Sequence, residues 1–220
     1  MRLYLASTSP ARLATLRSAG IEPAGLISPG VDEAAVVASL EQDRGTSLSA
    51  AETVLALAKA KAEAVIGRQV DGEPIDGFIL GGDSVFELDG QILGKPHTAS
   101  VARDRWQAML GRSGVLHSGH WLIDHRAESV HAGIACAGIG AVEDAMVEFA
   151  ADVTPAELDA YIATGEPLSV AGAFTIDSRG QAFITRIEGN PSTVIGLSTP
   201  TLRRLLRDGF GVGWHELWNR

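Results

Sequence analysis

The amino-acid sequence predicts an α/β protein with a mixed sheet and flanking helices. Strand-like and helix-like segments alternate along the chain, and the strands are joined both by helical crossovers and by tight hairpins. The size agrees, because 220 residues of which 45% are hydrophobic can bury the core of one domain or of two fused lobes.

The first strands and helices are predicted from apolar runs and from the cap, proline and glycine residues that mark their ends. Residues 2–6 form an apolar run typical of a strand, and residues 10–19 are predicted to be a helix. Ser9 is its expected N-cap, Pro10 suits the first helical position, and Gly20 lies just past the end. A second strand over residues 25–33 is expected to lead into a loop with Asp32 and Glu33, followed by an Ala-, Leu- and Lys-rich helix over 50–66 and a polar connection over 67–77.

The remaining elements continue the alternation. Residues 78–88 read as a buried strand, which Asp89-Gly90 turns back into QILGKP as a hairpin. Further predicted elements are a helix from Thr98 to 110, strands near 115–124 and 130–149, a helix opened by the Thr154–Glu157 capping box and ended at Gly165, a hairpin turned at Ser178-Arg179-Gly180, and a last helix capped by Thr199-Pro200 that stops at Gly209.

Composition excludes several classes of function. The net charge of −9, from 27 acidic and 18 basic residues, argues against binding a polymeric nucleic acid. The longest apolar runs are too short to span a membrane, and no secretory leader is visible, so a soluble cytoplasmic protein is expected. The single cysteine, Cys136, rules out an intramolecular disulfide, and its Ala/Gly/Ile surroundings favour a buried core residue over a catalytic thiol.

Ser7-Thr8-Ser9 and Arg12 suggest an anion site. A strand that ends in hydroxyl residues at a helix N-terminus presents free backbone N–H groups and a positive dipole end, which suit phosphate. Arg12 in the first turn opposes the dipole unless an anion compensates it. The alternative is an ordinary N-cap with no ligand.

Lys61 is predicted to face inward. At 100° per residue it shares the apolar helix face with Val54, Leu57 and Val65, whereas Lys59 points toward solvent. An inward lysine requires a negative partner, and the alternative is a side chain that reaches solvent along the edge of the core.

Asp83 places a carboxylate in an apolar strand, directly after Gly81-Gly82. Such a group requires a metal, a cation or several donors, and a structural ion pair is the alternative to a functional role. Lys95 on the returning strand is expected near the same end of the sheet, and Asp83 with Glu33 supplies oxygen ligands of the kind that Mg²⁺ prefers.

The histidines are weaker candidates. His117 and His120 lie three residues apart on a predicted strand, so they face opposite sides and form a poor metal pair. The sequence contains no Ser-His-Asp pattern, Walker A loop, zinc spacing or dinucleotide fingerprint. Trp106 is expected in the core, and Trp214 and Trp218 are expected to pack or to cover an interface.

Seven motifs in order give the chain a family resemblance. They are LASTSPAR, VDE, LAKAKA, GGDS, ILGKP, GEPLSVAGAFTID and IEGNPSTVIGL, which together cover residues 3 to about 207. In this order they resemble the Maf family of nucleoside triphosphate pyrophosphatases. The resemblance implies a single domain over residues 1–220 with two lobes around a central cleft, similar to the inosine triphosphatase group. It also implies a divalent cation (Mg²⁺ or Mn²⁺), frequent homodimers, a link to septum formation and cell-division arrest, and hydrolysis of a nucleoside triphosphate to the monophosphate and pyrophosphate.

The resemblance assigns roles by position. Asp83 falls on the family's proton acceptor, and Glu33 joins it at the metal. The positions that handle phosphate are Ser7, Ser9, Arg12, Lys61 and Lys95. This agrees with the residue chemistry, because an aspartate near a metal can orient and deprotonate water while cations neutralise the leaving pyrophosphate.

Three departures from the family pattern bear on the substrate. Ala11 replaces the first of two basic residues, Ser84 replaces threonine, and Asp177 stands where thymidine- and uridine-type members carry glutamine. Together these departures weaken a dTTP or UTP assignment. Asp177 and the EGNPSTVIGL stretch favour the members that prefer 7-methyl-GTP, since a carboxylate can accept from the guanine N1–H and amine. Ala11 matches neither subgroup.

Two other classes of function compete with hydrolysis. A cell-division regulator would bind a nucleotide without turnover, and an Asp83→Asn variant that kept the physiological effect would favour it. A phosphoryl or nucleotidyl transferase would pass its group to an acceptor, and detection of free pyrophosphate without transfer would exclude it. The complete acid–base set favours the hydrolase.

Overall fold

The computed structural model describes residues 1–131 and 138–219, which form a mixed α/β fold. The strands are β1 Leu3–Ala6, β2 Gly25–Leu26, β3 Gln69–Val70, β4 Glu73–Pro74, β5 Gly77–Leu88, β6 Gln91–Leu93, β7 Ser113–His125, β8 Gly138–Phe149 and β9 Ile184–Glu188. The helices are α1 Pro10–Ser18, α2 Glu33–Arg44, α3 Ala50–Glu63, α4 Ala99–Met109, α5 Ala127–His131, α6 Pro155–Ala163, α7 Pro191–Ile195 and α8 Thr199–Arg204.

The main sheet is mixed, as the sequence predicts. Its strands are hydrogen-bonded in the order β2-β1-β5-β7-β8-β9, and β6 pairs with β5. The β1 strand runs parallel to β2 and β5, with Leu5 opposite Leu80, whereas β5 and β6 form the expected antiparallel hairpin. The β3–β4 pair is a separate antiparallel hairpin within the segment predicted to be a plain connection.

The chain divides into two compact units. The first comprises Met1–Asp83, Ser118–Glu143 and Gly196–Arg220, and the second comprises Ser84–His117 and Asp144–Ile195. Each unit buries its own apolar clusters. In the first unit, β1 and the first half of β5 supply Leu3, Leu5, Phe78 and Leu80 to one cluster, which α8 completes.

The core of the second unit is aromatic. Trp106, as predicted, is fully buried, and its indole packs edge-on against the rings of Phe149 and Tyr161 at centroid distances of 5.5 and 5.7 Å. Its Nε1–H donates to the Ala173 carbonyl at 2.8 Å, so the polar atom is satisfied.

The predicted caps are confirmed where local signals are strongest. Ser9, Thr98 and Thr154 each accept from a backbone N–H of the first helical turn, and Thr154 forms a full capping box with Glu157. Gly165 adopts a left-handed φ of +77° directly after the α6 C-cap residue.

Other predictions were wrong. The strand predicted over residues 25–33 is limited to Gly25–Leu26. Glu33 does not lie in a loop but begins α2, whereas Asp32 precedes the helix and caps it, since its carboxylate accepts from the Ala35 N–H at 3.0 Å. The strand predicted from residue 130 begins later, since α5 extends to His131; residues 132–137, with Cys136, lie outside the described residues. The last helix is capped by Ser198 rather than by Thr199-Pro200, and its final turn, Leu205–Gly209, widens to a π-helix.

The hairpin predicted around residues 178–180 does not form. Ala171–Ala173 and Arg179–Phe183 are 3₁₀ turns, and β9 pairs with β8 instead. The reason is the Glu166 carboxylate, which accepts hydrogen bonds from Thr175 and from the backbone N–H of Gly180. These donors fold the segment around the carboxylate, so it does not extend along a strand.

None of the helices among the described residues is both long and apolar enough to cross a membrane.

Candidate active site

Asp83 lies in β5 as a buried carboxylate, with 7% of the residue exposed. Gly81, two residues earlier and on the same face of the strand, allows α3 to approach, because a Cβ at Gly81 would lie 2.1 Å from the Ala58 carbonyl oxygen. Lys61 follows Ala58 by one helical turn, and its Nζ donates to Asp83 Oδ1 at 2.6 Å. The close approach of helix and strand therefore forms the buried ion pair.

Lys61 faces inward, as predicted, with 10% of its side chain exposed, whereas Lys59 is 49% exposed. Its ammonium has a second carboxylate partner, Glu33 Oε1, at 2.7 Å. Glu33 is half-exposed at the first turn of α2, so the N-terminus of that helix brings it to Lys61. One cation thus joins the two predicted acidic site residues.

Arg12 reaches β5 at its other face. A Cβ at Gly82 would lie 3.1 Å from Arg12 Nε, so the second glycine makes room for the guanidinium. Arg12 Nε–H donates to the Gly196 carbonyl at 2.8 Å, and Nη1 donates to Ser7 Oγ at 3.3 Å. Each glycine of the Gly81-Gly82 pair therefore admits one cation to the surroundings of Asp83.

The hydroxyl cluster has separate tasks. Ser9 Oγ accepts from the Arg12 backbone N–H at 3.3 Å and caps α1. Ser7 is buried and its Oγ accepts from the Ser9 N–H at 3.1 Å. Ala11 is partly buried in the first turn of α1. The ordinary cap and the arginine contact therefore coexist at this helix N-terminus.

Burial dominates the electrostatics of the site. It raises the pKa of Asp83 above the ordinary aspartate value, and the charges of Lys61 and Arg12 oppose that rise. Burial also lowers the pKa of Arg12, against the attraction of Asp83 and Glu33. The result is a carboxylate that accepts a proton more readily than a surface aspartate, beside two cations that favour anions.

The oxygen donors of the site suit a hard cation only in part. Among the described residues, no group of three or more His, Cys, Asp or Glu side chains is arranged to hold a metal. Glu33 and Asp83 provide two carboxylates on one ammonium, and Mg²⁺ commonly binds one or two carboxylates and takes its other ligands from phosphates and water. The residues present therefore fit a cation that arrives with a phosphate ligand.

The other predicted residues belong to the second unit. Lys95 is exposed and follows the end of β6 by two residues, and Ser84 is partly buried in β5. Asp177 is exposed in the segment that Glu166 organises. The expected proximity of Lys95 to Asp83 stays a prediction.

Sequence reasoning missed three residues near Arg12. The Gly196 carbonyl receives the guanidinium, and His120, judged a weak candidate, accepts a hydrogen bond from the Ser198 N–H. A signal existed only for Ser198, since a serine before Thr-Pro is a usual N-cap. The other histidine judged a weak candidate, His117, has its Nδ1 2.7 Å from Asp144 Oδ1.

The fold and the site define an α/β protein in which a buried carboxylate, hydrogen-bonded to Lys61 and within the field of Arg12, accompanies a hydroxyl-rich helix N-terminus; such groups can accept a proton and attract an anion. The chain belongs to the Maf family, because it matches the family described as Maf-like protein over residues 2–209.

Curated relatives match this chain over nearly its whole length. It is 60% identical to the nucleoside triphosphate pyrophosphatase of Leifsonia xyli subsp. xyli, over 100% of this chain and 98% of that protein. It is 50% identical to the protein of the same name from Salinispora tropica, over 100% of this chain and 88% of that protein. The corresponding protein of Rhodococcus opacus is 48% identical, over 97% and 94%.

Proposed function

We propose that this protein is a nucleoside triphosphate pyrophosphatase, which hydrolyses the α–β anhydride bond and releases a nucleoside monophosphate and pyrophosphate. The observation that carries the proposal is the buried Asp83, hydrogen-bonded to Lys61 and within the field of Arg12. Full-length relatives that bear this enzyme name support the same reaction.

Asp83 is the proposed proton acceptor. The oxygen of a water molecule forms a bond to the α-phosphorus, the bond from the α-phosphorus to the bridging oxygen breaks, and pyrophosphate leaves with that electron pair. Asp83 takes the proton from the attacking water. The pKa of Asp83 is raised by burial, which brings its basicity closer to that required at neutral pH.

The cations have a different role. A triphosphate carries close to four negative charges, and the charge on the leaving pyrophosphate grows as the anhydride bond breaks. Lys61, Arg12 and the N-terminus of α1 with Ser7 and Ser9 are the groups of the first unit that we assign to the phosphates. Lys95 is also assigned to the phosphates, because it lies in the ILGKP motif.

A divalent cation, Mg²⁺ or Mn²⁺, is part of the proposal. Glu33 and Asp83 are its proposed ligands, and their oxygen donors fit the preference of such an ion. When bound, the ion would polarise phosphate oxygens and lower the pKa of water. The Lys61 ammonium contacts both carboxylates, at 2.7 Å from Glu33 Oε1 and 2.6 Å from Asp83 Oδ1.

Substrate preference is proposed from three positions. Ala11, Ser84 and Asp177 depart from the thymidine and uridine pattern, so dTTP and UTP are not expected as preferred substrates. Asp177 and the EGNPSTVIGL stretch lead us to expect a preference for a modified purine nucleotide such as 7-methyl-GTP. An exposed carboxylate at Asp177 can accept hydrogen bonds from the guanine edge. We also propose that the protein removes modified nucleotides in the cytoplasm and has a role in septum formation. A homodimer is the proposed oligomeric state, which light scattering would measure.

One experiment tests the reaction. Normal and modified nucleoside triphosphates are incubated with the protein and either Mg²⁺ or Mn²⁺, and released pyrophosphate and monophosphate are quantified. Asp83→Asn should lose at least a hundredfold in rate, as general-base removal commonly does. The matched control is Asp43→Asn, an exposed aspartate of α2.

The outcomes separate the alternatives. No pyrophosphate from any substrate would refute the proposed reaction, and full activity in folded Asp83→Asn would refute the assignment of the base. A protein that binds nucleotides tightly without turnover would instead be the regulator considered above.

A further inference from the structure

His120 is a buried histidine with one well-defined task. It lies in β7 with 0% exposure, and its Nε2 accepts from the Ser198 backbone N–H at 2.8 Å. An accepting Nε2 requires the neutral ring. Burial, aided by the charge of Arg12, lowers the pKa of His120 to about 4, so the ring is neutral at physiological pH.

The segment that His120 holds leads to Arg12. Ser198 is fixed at two atoms, since its N–H donates to His120 and its Oγ accepts from the Thr201 N–H at 3.3 Å. Two residues earlier, Gly196 has a φ of +107°, which favours glycine, and its carbonyl accepts from Arg12 Nε–H. We call residues 196–198 the connector.

Fixing one nitrogen of Arg12 orients its whole guanidinium. The group is planar, so a hydrogen bond at Nε determines the plane in which both terminal nitrogens lie. Nη1 then meets Ser7 Oγ at 3.3 Å. Any phosphate that Arg12 binds is therefore presented with an orientation that the connector sets.

We propose that His120 is a positioning residue, which acts through the connector to orient Arg12 toward the phosphates of the substrate. The inference rests on the proposed function only in assigning phosphate to Arg12. His120 itself has no exposed surface, so it acts on Arg12 and not on the substrate.

The test compares three variants with the wild type. His120→Leu removes the acceptor, His120→Gln retains an acceptor oxygen without a titratable ring, and His117→Leu makes the same change on the same strand in the second unit. The readouts are the KM and kcat for the best triphosphate and the affinity for inorganic pyrophosphate by calorimetry, with thermal melts to verify folding. We expect His120→Leu to weaken pyrophosphate binding and raise KM about tenfold, as a misplaced binding group does. His120→Gln and His117→Leu should stay within about twofold of the wild type.

A double-mutant cycle identifies the route. If His120 acts through Arg12, His120→Leu should change pyrophosphate affinity less than about twofold when Arg12 is already Lys. Equal losses in both backgrounds, or no rescue by His120→Gln, would overturn the inference. If His120→Leu does not fold, His120→Asn replaces it, since its shorter amide cannot span the distance to Ser198.

The design separates the two proposals. If the wild type releases no pyrophosphate from any triphosphate, the proposed function fails, yet the binding cycle with inorganic pyrophosphate still decides the role of His120.

Discussion

Gly81→Ala tests whether the contact between α3 and β5 creates the site. The added Cβ would lie 2.1 Å from the Ala58 carbonyl oxygen and 2.9 Å from atoms of Ala62, whereas ordinary contact begins near 3.4 Å. The atoms it meets belong to the helix itself, chiefly its backbone, so α3 must move by about 1 Å. Lys61 lies on the same helix, and its 2.6 Å hydrogen bond to Asp83 would be lost.

Two quantities follow from that shift. Overpacking of this kind costs roughly 2 kcal/mol, which lowers the melting temperature of a chain of this size by about 6 °C. A displacement of about 1 Å at a reacting group lowers kcat/KM by about a hundredfold. Activity should therefore fall much further than stability at a temperature where the variant is folded.

Calorimetry measures the change in melting temperature, and the rate of pyrophosphate release measures the change in kcat/KM. The matched control is Gly94→Ala, because Gly94 has no atom within 4 Å of its Cβ position and no positive φ. It should leave the melting temperature unchanged within about 1 °C. Wild-type activity in Gly81→Ala would show that Lys61 and Asp83 do not depend on this helix contact, and the reasoning would fail.

Three further perturbations are informative. Lys61→Met should cost about 3 kcal/mol in urea unfolding and raise the pKa of Asp83 further, because a buried carboxylate loses its hydrogen-bonded cation; unchanged stability would contradict the buried pair. The pKa of His120 is about 4 in the folded protein against 6.5 in the unfolded chain, so the unfolded chain takes up this proton first as the pH falls. The free energy of unfolding is therefore unaffected by His120 above about pH 6.5 and decreases by about 3 kcal/mol as the pH falls toward 4. The pH–stability curve of His120→Gln should lack this decrease. Burial raises the pKa of Glu166, but hydrogen bonds led by that of Thr175 lower it to about 2, so its stabilisation is present above about pH 4.5 and lost as the pH falls toward 2. Glu166→Gln should cost about 2 kcal/mol at pH 7 and nothing near pH 2 in denaturant titrations.

Much of the site was predictable one residue at a time. The inward face of Lys61 follows from helical periodicity, and the functional interest of Asp83 follows from a charge in an apolar strand after two glycines. The N-cap at Ser9 follows from a serine directly before Pro10 at the start of the helix. Each of these signals acts within one or two turns of chain, where hydrogen-bond geometry and side-chain direction are set by the backbone.

The partners of those residues required the tertiary structure. Lys61 and Asp83 are 22 residues apart, His120 and Ser198 are 78 apart, and Arg12 meets a carbonyl 184 residues away. Every residue has a backbone carbonyl whatever its side chain, so the sequence does not indicate that Arg12 donates to the carbonyl of Gly196.

The sequence by itself determined the mixed α/β class, the family and the residue types of an acid–base and phosphate site, because periodicity, caps and motifs are local properties. Only the tertiary structure showed that Glu33 begins a helix and shares Lys61 with Asp83, and that the 175–180 segment folds around Glu166 instead of pairing as a hairpin. In both places a carboxylate meets donors from other parts of the chain. The free energy of such contacts depends on burial and distance, which exist only once the chain has folded.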